Sequence, residues 1–250
     1  KKLNEQSIIA VDTETSSLNP QEANLVGISV SYAPNIAYYI PLDHKEVKGI
    51  KKEIVLKKLK IVLEDSSIKK IGQNIKYDFI IFKNNGIELN PVDDTMLLSY
   101  TLDAGNNRHN MDTLSEIHLG HKTISYKDLV GTGKKQLNFS EIDLKSATEY
   151  AAEDADVTLR LYEILSNRVS EEKLEKIYEI FEKPMITILS KLETNGIKVD
   201  DSYLKKLSKK FKSRLEKIEK DIYKLSGKKF NIGSPKQLGE IIYNDLKIAK

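Results

Sequence analysis

Short apolar runs open the chain and helical spacing closes it. Residues 6–12 read as a strand, and "NLVGISVSY" (24–32) and "IAYYIPL" (36–42) follow at hairpin spacing around the turn Pro34-Asn35. In "KEIVLKKLKIVLED" (52–65) the period lengthens, with Ile54, Leu56, Leu59, Val62 and Leu63 on one helical face. A short strand over 68–72 precedes a helix over 75–86 that stops at Gly86, the usual left-handed C-terminal position. Asp94 stands as an N-cap before "TMLLSYTL", and Thr113 with Glu116 has capping-box spacing before another helix. A long helix is predicted from about Ser146 to Arg168, after a loop over 130–139. Its "GTGKK" lacks the spacing of a phosphate loop. A three-strand meander followed by alternating helix and strand predicts an α/β class, a mixed sheet flanked by helices.

Residues 171–250 differ. A helix runs to Gly196 with a kink expected at Pro184. In the next helix Leu204, Leu207, Phe211, Leu215, Ile218, Ile222 and Leu225 form one narrow apolar stripe on a charged rod. Ser234-Pro235 then caps a last short helix. Charge follows the same division: residues 171–250 hold 19 Lys and Arg against 13 Asp and Glu, whereas residues 1–170 hold 21 against 24. Two modules are expected, 1–170 and 171–250, the second an extended helical segment suited to a polyanion, although lysine-rich solvated helices are the commoner cause of such runs. Cysteine is absent, which excludes disulfides and thiolate metal sites. No apolar stretch reaches membrane-spanning length and no signal-peptide core is present, so a cytoplasmic location without a membrane partner is expected.

The chemistry is carried by acids in apolar company. "IIAVDTET" ends its buried run with Asp12 and Glu14, which alternation places on one face of the strand. Asp154 lies within the helical stripe of Ala147, Ala151, Thr158, Leu161 and Leu165, and Tyr150 precedes it by four residues. Asp78 shares a face with Ile75 and Phe82, just after "GQN" at a strand-to-helix junction. Each has a plain structural explanation: a solvated strand end, a buried aspartate with a partner, a first-turn acid on the helix dipole. Together they are four carboxylates without an evident local Arg or His. Hard oxygen ligands of this kind suit Mg²⁺ or Mn²⁺, and four can hold two ions about 4 Å apart, the spacing that clamps a phosphodiester. The four histidines have no ligand spacing, and His118 and His121 read as capping or surface residues.

"DTETSSL", "GQNIKYD" and "YAAED" resemble the three exonuclease motifs of the DEDD superfamily, in the subclass with Tyr four residues before the last Asp. "IGQNIKYDFIIFKNNGIEL", "DTMLLSYTLDAGNNRHNMDTL" and "YAAEDADVTLRLYEIL" further resemble the proofreading domain of bacterial DNA polymerase I, of family A. "FNIGSPKQLGEII" is similar to the start of that family's thumb, so the chain reads as an excised piece without palm, fingers or 5′-nuclease domain. The resemblance implies a ribonuclease H-like fold over residues 1–170. It implies a two-metal 3′→5′ exodeoxyribonuclease that acts in proofreading on single-stranded or frayed DNA 3′ ends at a primer terminus, with the rest of a polymerase chain as partner and a nucleoid-associated location. By the same resemblance Asp12, Glu14 and Asp154 hold one metal, Asp12 bridges to a second that Asp78 reaches, and Tyr150 with Glu14 orients the attacking water. Leu18 matches the residue that wedges between terminal bases, Phe139 and Met111 match positions along the single-strand path, and Gln73, Asn74 and Arg108 match polar residues near the strand backbone. A ribonuclease D-like RNA exonuclease and a non-catalytic DNA-binding fragment are the alternatives.

Overall fold

The computed structural model describes residues 2–47, 51–133 and 136–248. Its centre is a sheet of β1 (Ile8–Thr15), β2 (Leu25–Ala33), β3 (Ile36–Pro41), β4 (Lys69–Gly72) and β5 (Val92–Asp94), in the order β3-β2-β1-β4-β5. The meander β1-β2-β3 is antiparallel, while β4 and β5 run parallel to β1. Parallel pairing needs a crossover, and α1 (Lys52–Leu63) and α2 (Lys76–Asn84) supply the two. The mixed sheet flanked by helices is thus as expected.

Alternation sorts the strands' side chains into two layers. Ile9, Val11, Ile28 and Val30 pack with Leu59, Val62, Ile81 and Phe82 from α1 and α2. Ala10 and Ile71 face the other way, toward a cluster of Leu98, Leu114, Val157, Leu161 and Leu165. Those residues come from α3 (Thr95–Asp103), α4 (Met111–Leu119) and the long α6 (Leu144–Glu171), with the short α5 (Tyr126–Val130) between. A third cluster of Val26, Val130, Phe139, Ile142, Ala147 and Ala151 closes the first turns of α6. Asp143 caps α6, its Oδ1 accepting from Ser146 N at 3.0 Å.

Three local readings are corrected. The edge strand β5 was not expected: three residues reading Val-Asp-Asp carry no run for a pattern to detect. Helix α4 starts at Met111 behind Asn110, so Thr113 and Glu116 lie inside it and form no capping box. In place of the kink expected at Pro184 there is a π-helical turn over Tyr178–Glu182, between the short α7 (Glu175–Ile177) and α8 (Lys183–Asn195), which has Pro184 in its first turn, where a missing N–H breaks no bond. Of the "GTGKK" segment, residues 134–135 lie outside the described residues.

The chain divides into two compact units, Lys1–Gly196 and Ile197–Lys250. The first takes in Tyr178 and Ile186, 3% and 2% exposed, and so extends through α8. The second holds α9 (Asp201–Ser226), capped by Asp200 Oδ1 on Tyr203 N at 2.9 Å, and α10 (Pro235–Gly239), capped by Ser234. Leu204, Leu207, Phe211 and Leu215 line a groove on α9, as the stripe predicted. No helix among the described residues is long and apolar enough to cross a membrane.

Candidate active site

Strand β1 delivers two acids to one side and a threonine to the other. Asp12 and Glu14 turn toward α6, where with Asp154 each offers one carboxylate oxygen, the three lying within 4.8 Å of one another. Thr13, between them, turns toward α2 and its hydroxyl donates to Asp78 Oδ1 at 2.5 Å. Where β1 meets β2 the register slips: Glu14 pairs with Gly27 but Thr15 pairs with Leu25, a bulge of the kind that re-aims side chains at a site.

Helix α6 can bring Asp154 down to the sheet because Ala147, Ala151 and Ala155 on its inner face are small and fully buried. Asp78 comes from the first turn of α2, and a tight turn over Gly72, Gln73 and Asn74 sets where that helix starts. Asn74 has a left-handed φ of 57°. A Cβ on Gly72 would lie 2.7 Å from Ile75 Cγ1, so the turn closes only on glycine. Asp94, at the end of β5, fastens it: its carboxylate accepts from Asn74 N and Ile75 N at 3.0 Å each and caps α3 through Met96 N at 2.9 Å.

The four acids, Tyr150, Leu18, Gln73 and Asn74 line one cavity of about 420 Å³. Leu18 is 91% exposed at its mouth and also borders an adjoining cavity that Phe139 lines. Phe139 itself is buried, its ring 6.3 Å from that of Tyr39 and 6.1 Å from that of Tyr150. Gln73 is spoken for, its amide donating to His109 O at 2.7 Å and accepting from Thr95 Oγ1 at 2.5 Å. Met111 packs against the α3–α6 cluster and Arg108 is exposed; neither lines the cavity. Four further residues line it that are not among the sequence candidates: Thr13, Thr15, Tyr77 and Tyr126. Tyr77 donates to Ser17 O and shares a hydrogen bond with Thr15 Oγ1, both at 2.5 Å, and so ties down the segment leading to Leu18. Its position beside Asp78 was the only available signal.

Burial pushes all four carboxyls up from their ordinary range, and their mutual repulsion adds to it. Asp12 reaches about 6 through burial, opposed by a backbone hydrogen bond at Thr13. Glu14 lies well above its usual value through burial and then the charges of Asp12, Asp154 and Asp78. Asp78 and Asp154 are raised by burial and Asp12, and are relieved partly by the hydroxyls of Thr13 and Tyr150. Burial and the charges of Asp154, Glu14 and Asp12 raise Tyr150 in turn, keeping it a neutral donor. Among the described residues no Lys, Arg or His forms an ion pair with any of the four, and Glu14 Oε1 is buried without a hydrogen-bond partner. An unpaired buried carboxylate oxygen among like charges, in an all-oxygen set, fits a hard divalent cation.

Comparison with known proteins gives the family. DNA polymerase I of Rhizobium leguminosarum is 44% identical over 97% of this chain and 26% of its own length. The chain spans about a quarter of the length of the curated relatives it matches. Two solved structures share the fold. The polymerase domain of Pol1 from M. smegmatis, in complex with DNA primer-template and dNTP, aligns with TM-score 0.77 at 21% identity, over 100% of this chain and 40% of that one. Brucella melitensis NrnC with bound Mg²⁺ aligns with TM-score 0.59 at 23% identity, over 77% and 87%. Residues 1–170 match the family model described as 3′-5′ exonuclease and residues 201–250 that of DNA polymerase family A. The chain belongs to the 3′-5′ exonuclease family of the family A DNA polymerases.

Proposed function

We propose that this chain is a metal-dependent 3′→5′ exodeoxyribonuclease, the proofreading module of a DNA polymerase I. It would trim single-stranded or frayed primer ends and release nucleoside monophosphates, with residues 1–170 carrying the chemistry and the C-terminal helices belonging to a polymerase thumb. The observation that carries this reading is the group Asp12, Glu14 and Asp154, gathered within 4.8 Å with one buried oxygen left unpaired. Asp12, Glu14 and Asp154 would hold one Mg²⁺ or Mn²⁺, and Asp12 with Asp78 a second. When bound, such ions acidify the attacking water and stabilise charge on the departing oxygen.

The chain's own residues do the rest. Glu14 accepts from the attacking water and Tyr150, neutral and beside Asp154, fixes its direction. Water oxygen bonds to the terminal phosphorus, the P–O3′ bond breaks, and the freed 3′ oxygen takes up a proton. Leu18, exposed and lining the cavity, would separate the terminal base from its neighbour, and Phe139, buried beside Tyr150, would back the path of the single strand. Asn74, exposed at its turn, is offered to the strand backbone, whereas Gln73 is held by other residues. Any contact from Arg108 or Met111 is made outside the cavity.

The test is digestion of a 3′-labelled oligodeoxynucleotide. Magnesium-dependent release of mononucleotide is expected, lost in EDTA and in Asp12→Ala, and slower on the matched RNA. Undiminished digestion by Asp12→Ala would sink the site, and faster digestion of RNA would reassign the substrate.

A further inference from the structure

The sheet face that carries Asp12 and Glu14 holds more buried oxygen than its hydrogen bonds employ. Glu14 Oε1, Ser29 Oγ and Tyr39 Oη are all buried without a partner among the described residues. Strand register explains why they share one strip. Asp12 lies opposite Ser29, which lies opposite Tyr39; in the next row Glu14 lies opposite Gly27, which lies opposite Pro41. Paired residues point to the same face, so Tyr39 is one row and one diagonal from Glu14, with Gly27 between them.

That glycine is there for space. Its φ is outside the left-handed region, so the backbone makes no demand for glycine. A Cβ at position 27 would lie 2.2 Å from Tyr39 Oη and 2.3 and 2.4 Å from Cε2 and Cζ of the same ring. The phenol therefore fills the volume any side chain at 27 would need. The hydroxyl thus stands over the residue directly paired with Glu14, near enough for the charge of Glu14 to act on the phenol, although the two groups are not hydrogen-bonded here. A phenol is a proton donor at neutral pH, and Glu14 Oε1 is an acceptor without a donor.

We propose that Tyr39 is a positioning residue whose hydroxyl, after a rotation of the Glu14 side chain, donates to its buried oxygen across a gap kept open by Gly27, and leaves the second carboxylate oxygen to serve the cavity. The assignment rests on Glu14 belonging to the cation site argued above. Donors of this kind fix the orientation of a ligating carboxylate, and their loss typically weakens metal binding about 10–100-fold.

The experiment is calorimetric titration of Mn²⁺ into the DNA-free chain, wild type beside Tyr39→Phe, Gly27→Ala and Asp12→Ala. Oligonucleotide digestion at saturating Mn²⁺ is run on the same samples. Tyr39→Phe keeps the ring and the fold, so its melting in EDTA serves as the structural control. The expected result is a 10–100-fold loss of Mn²⁺ affinity, with a lower kcat and an unchanged KM for the oligonucleotide. Gly27→Ala should give the same loss by displacing the phenol, and adding Tyr39→Phe to it should cause no further loss. A Tyr39→Phe protein with wild-type Mn²⁺ affinity and kcat overturns the inference while leaving the nuclease reading intact. A wild type that neither binds Mn²⁺ nor digests, and so matches Asp12→Ala, overturns both.

Discussion

At Asp12 two demands oppose each other: burial favours the protonated acid, and a cation needs the carboxylate. Its pKa is carried from 3.8 to about 6 mainly by loss of hydration, and Glu14, Asp78 and Asp154 are raised in the same direction. A folded-state pKa above the unfolded value means that protons are held more tightly by the native chain. The resulting stabilisation is complete below the unfolded pKa and is lost as pH rises through the folded one. In EDTA the melting temperature should therefore fall between pH 5 and pH 7.5. Divalent ions bind the ionised form, so Mg²⁺ should raise the melting temperature more at pH 7.5 than at pH 5. At a hundredfold excess over Kd the gain is about 2.7 kcal/mol, which for a chain of this size is about 5–10 °C. Asp12→Asn should flatten both the pH slope and the Mg²⁺ response. Equal Mg²⁺ shifts at the two pH values would show that the ion binds elsewhere. In catalysis the same logic ranks the variants. Asp12→Ala and Asp154→Ala remove charge at the reacting centre and should reduce kcat on the order of 10³-fold or more. Tyr150→Phe removes an orienting hydroxyl and should cost about 10²-fold, a ranking single-turnover rates would check.

Between the acids and the sheet stand short connecting elements, and here Asp94 matters most. It accepts from three backbone N–H groups, two in the turn before α2 and one in α3. In Asp94→Ala the N–H of Ile75, which is fully buried, loses its acceptor along with the cap of α3. An orphaned buried donor costs about 1–3 kcal/mol and a lost cap about 0.5–2, so a loss of about 2–4 kcal/mol in unfolding free energy is expected. Hydrogen exchange should quicken at residues 74, 75 and 96 while the amides of β1 stay protected. Uniform quickening across the sheet would deny Asp94 this local role. The site was legible in the sequence where an acid broke an apolar period: the strand face of Asp12 and Glu14, and the helical stripes holding Asp78 and Asp154. It was illegible where position depends on register between strands. Tyr39 and Gly27 gain their meaning only from pairing with β1, the bulge at Thr15 leaves no periodic trace, and Tyr126 sits on a five-residue helix too short to show a stripe. The two acids of β5 could be read as a cap at Asp94, but not as the end of a strand.

For the molecule as a whole, the question is where the folding unit that carries this site ends. Similarity to the exonuclease family ends at residue 170, whereas the compact unit continues to Gly196. The physical tie is Asp93 on β5, almost fully buried. It pairs with Lys69 at 2.7 Å and Lys183 at 2.8 Å, and accepts from Tyr162 at 3.0 Å and Tyr178 at 3.2 Å. Two of those four partners lie beyond residue 170. Cutting the chain there would leave Asp93 with Lys69 and Tyr162 alone, and each hydrogen bond lost to a charged group costs about 1.5–3 kcal/mol. It would also expose the surface that Tyr178 and Ile186 cover, each about 1.5–3 kcal/mol of burial. Together these approach the whole stability of an ordinary domain, about 5–15 kcal/mol. We therefore propose that the working unit is residues 1–196. A chain ending at Gly196 should melt cooperatively and keep its Mn²⁺ affinity, while one ending at 170 should melt far lower or precipitate. Asp93→Asn within the longer chain should reproduce part of that loss without touching the acids. Were the chain ending at 170 to match the longer one in melting temperature and Mn²⁺ binding, the segment from Tyr178 to Asn195 would be a passenger on the nuclease and Asp93 a surface tether of no consequence to it.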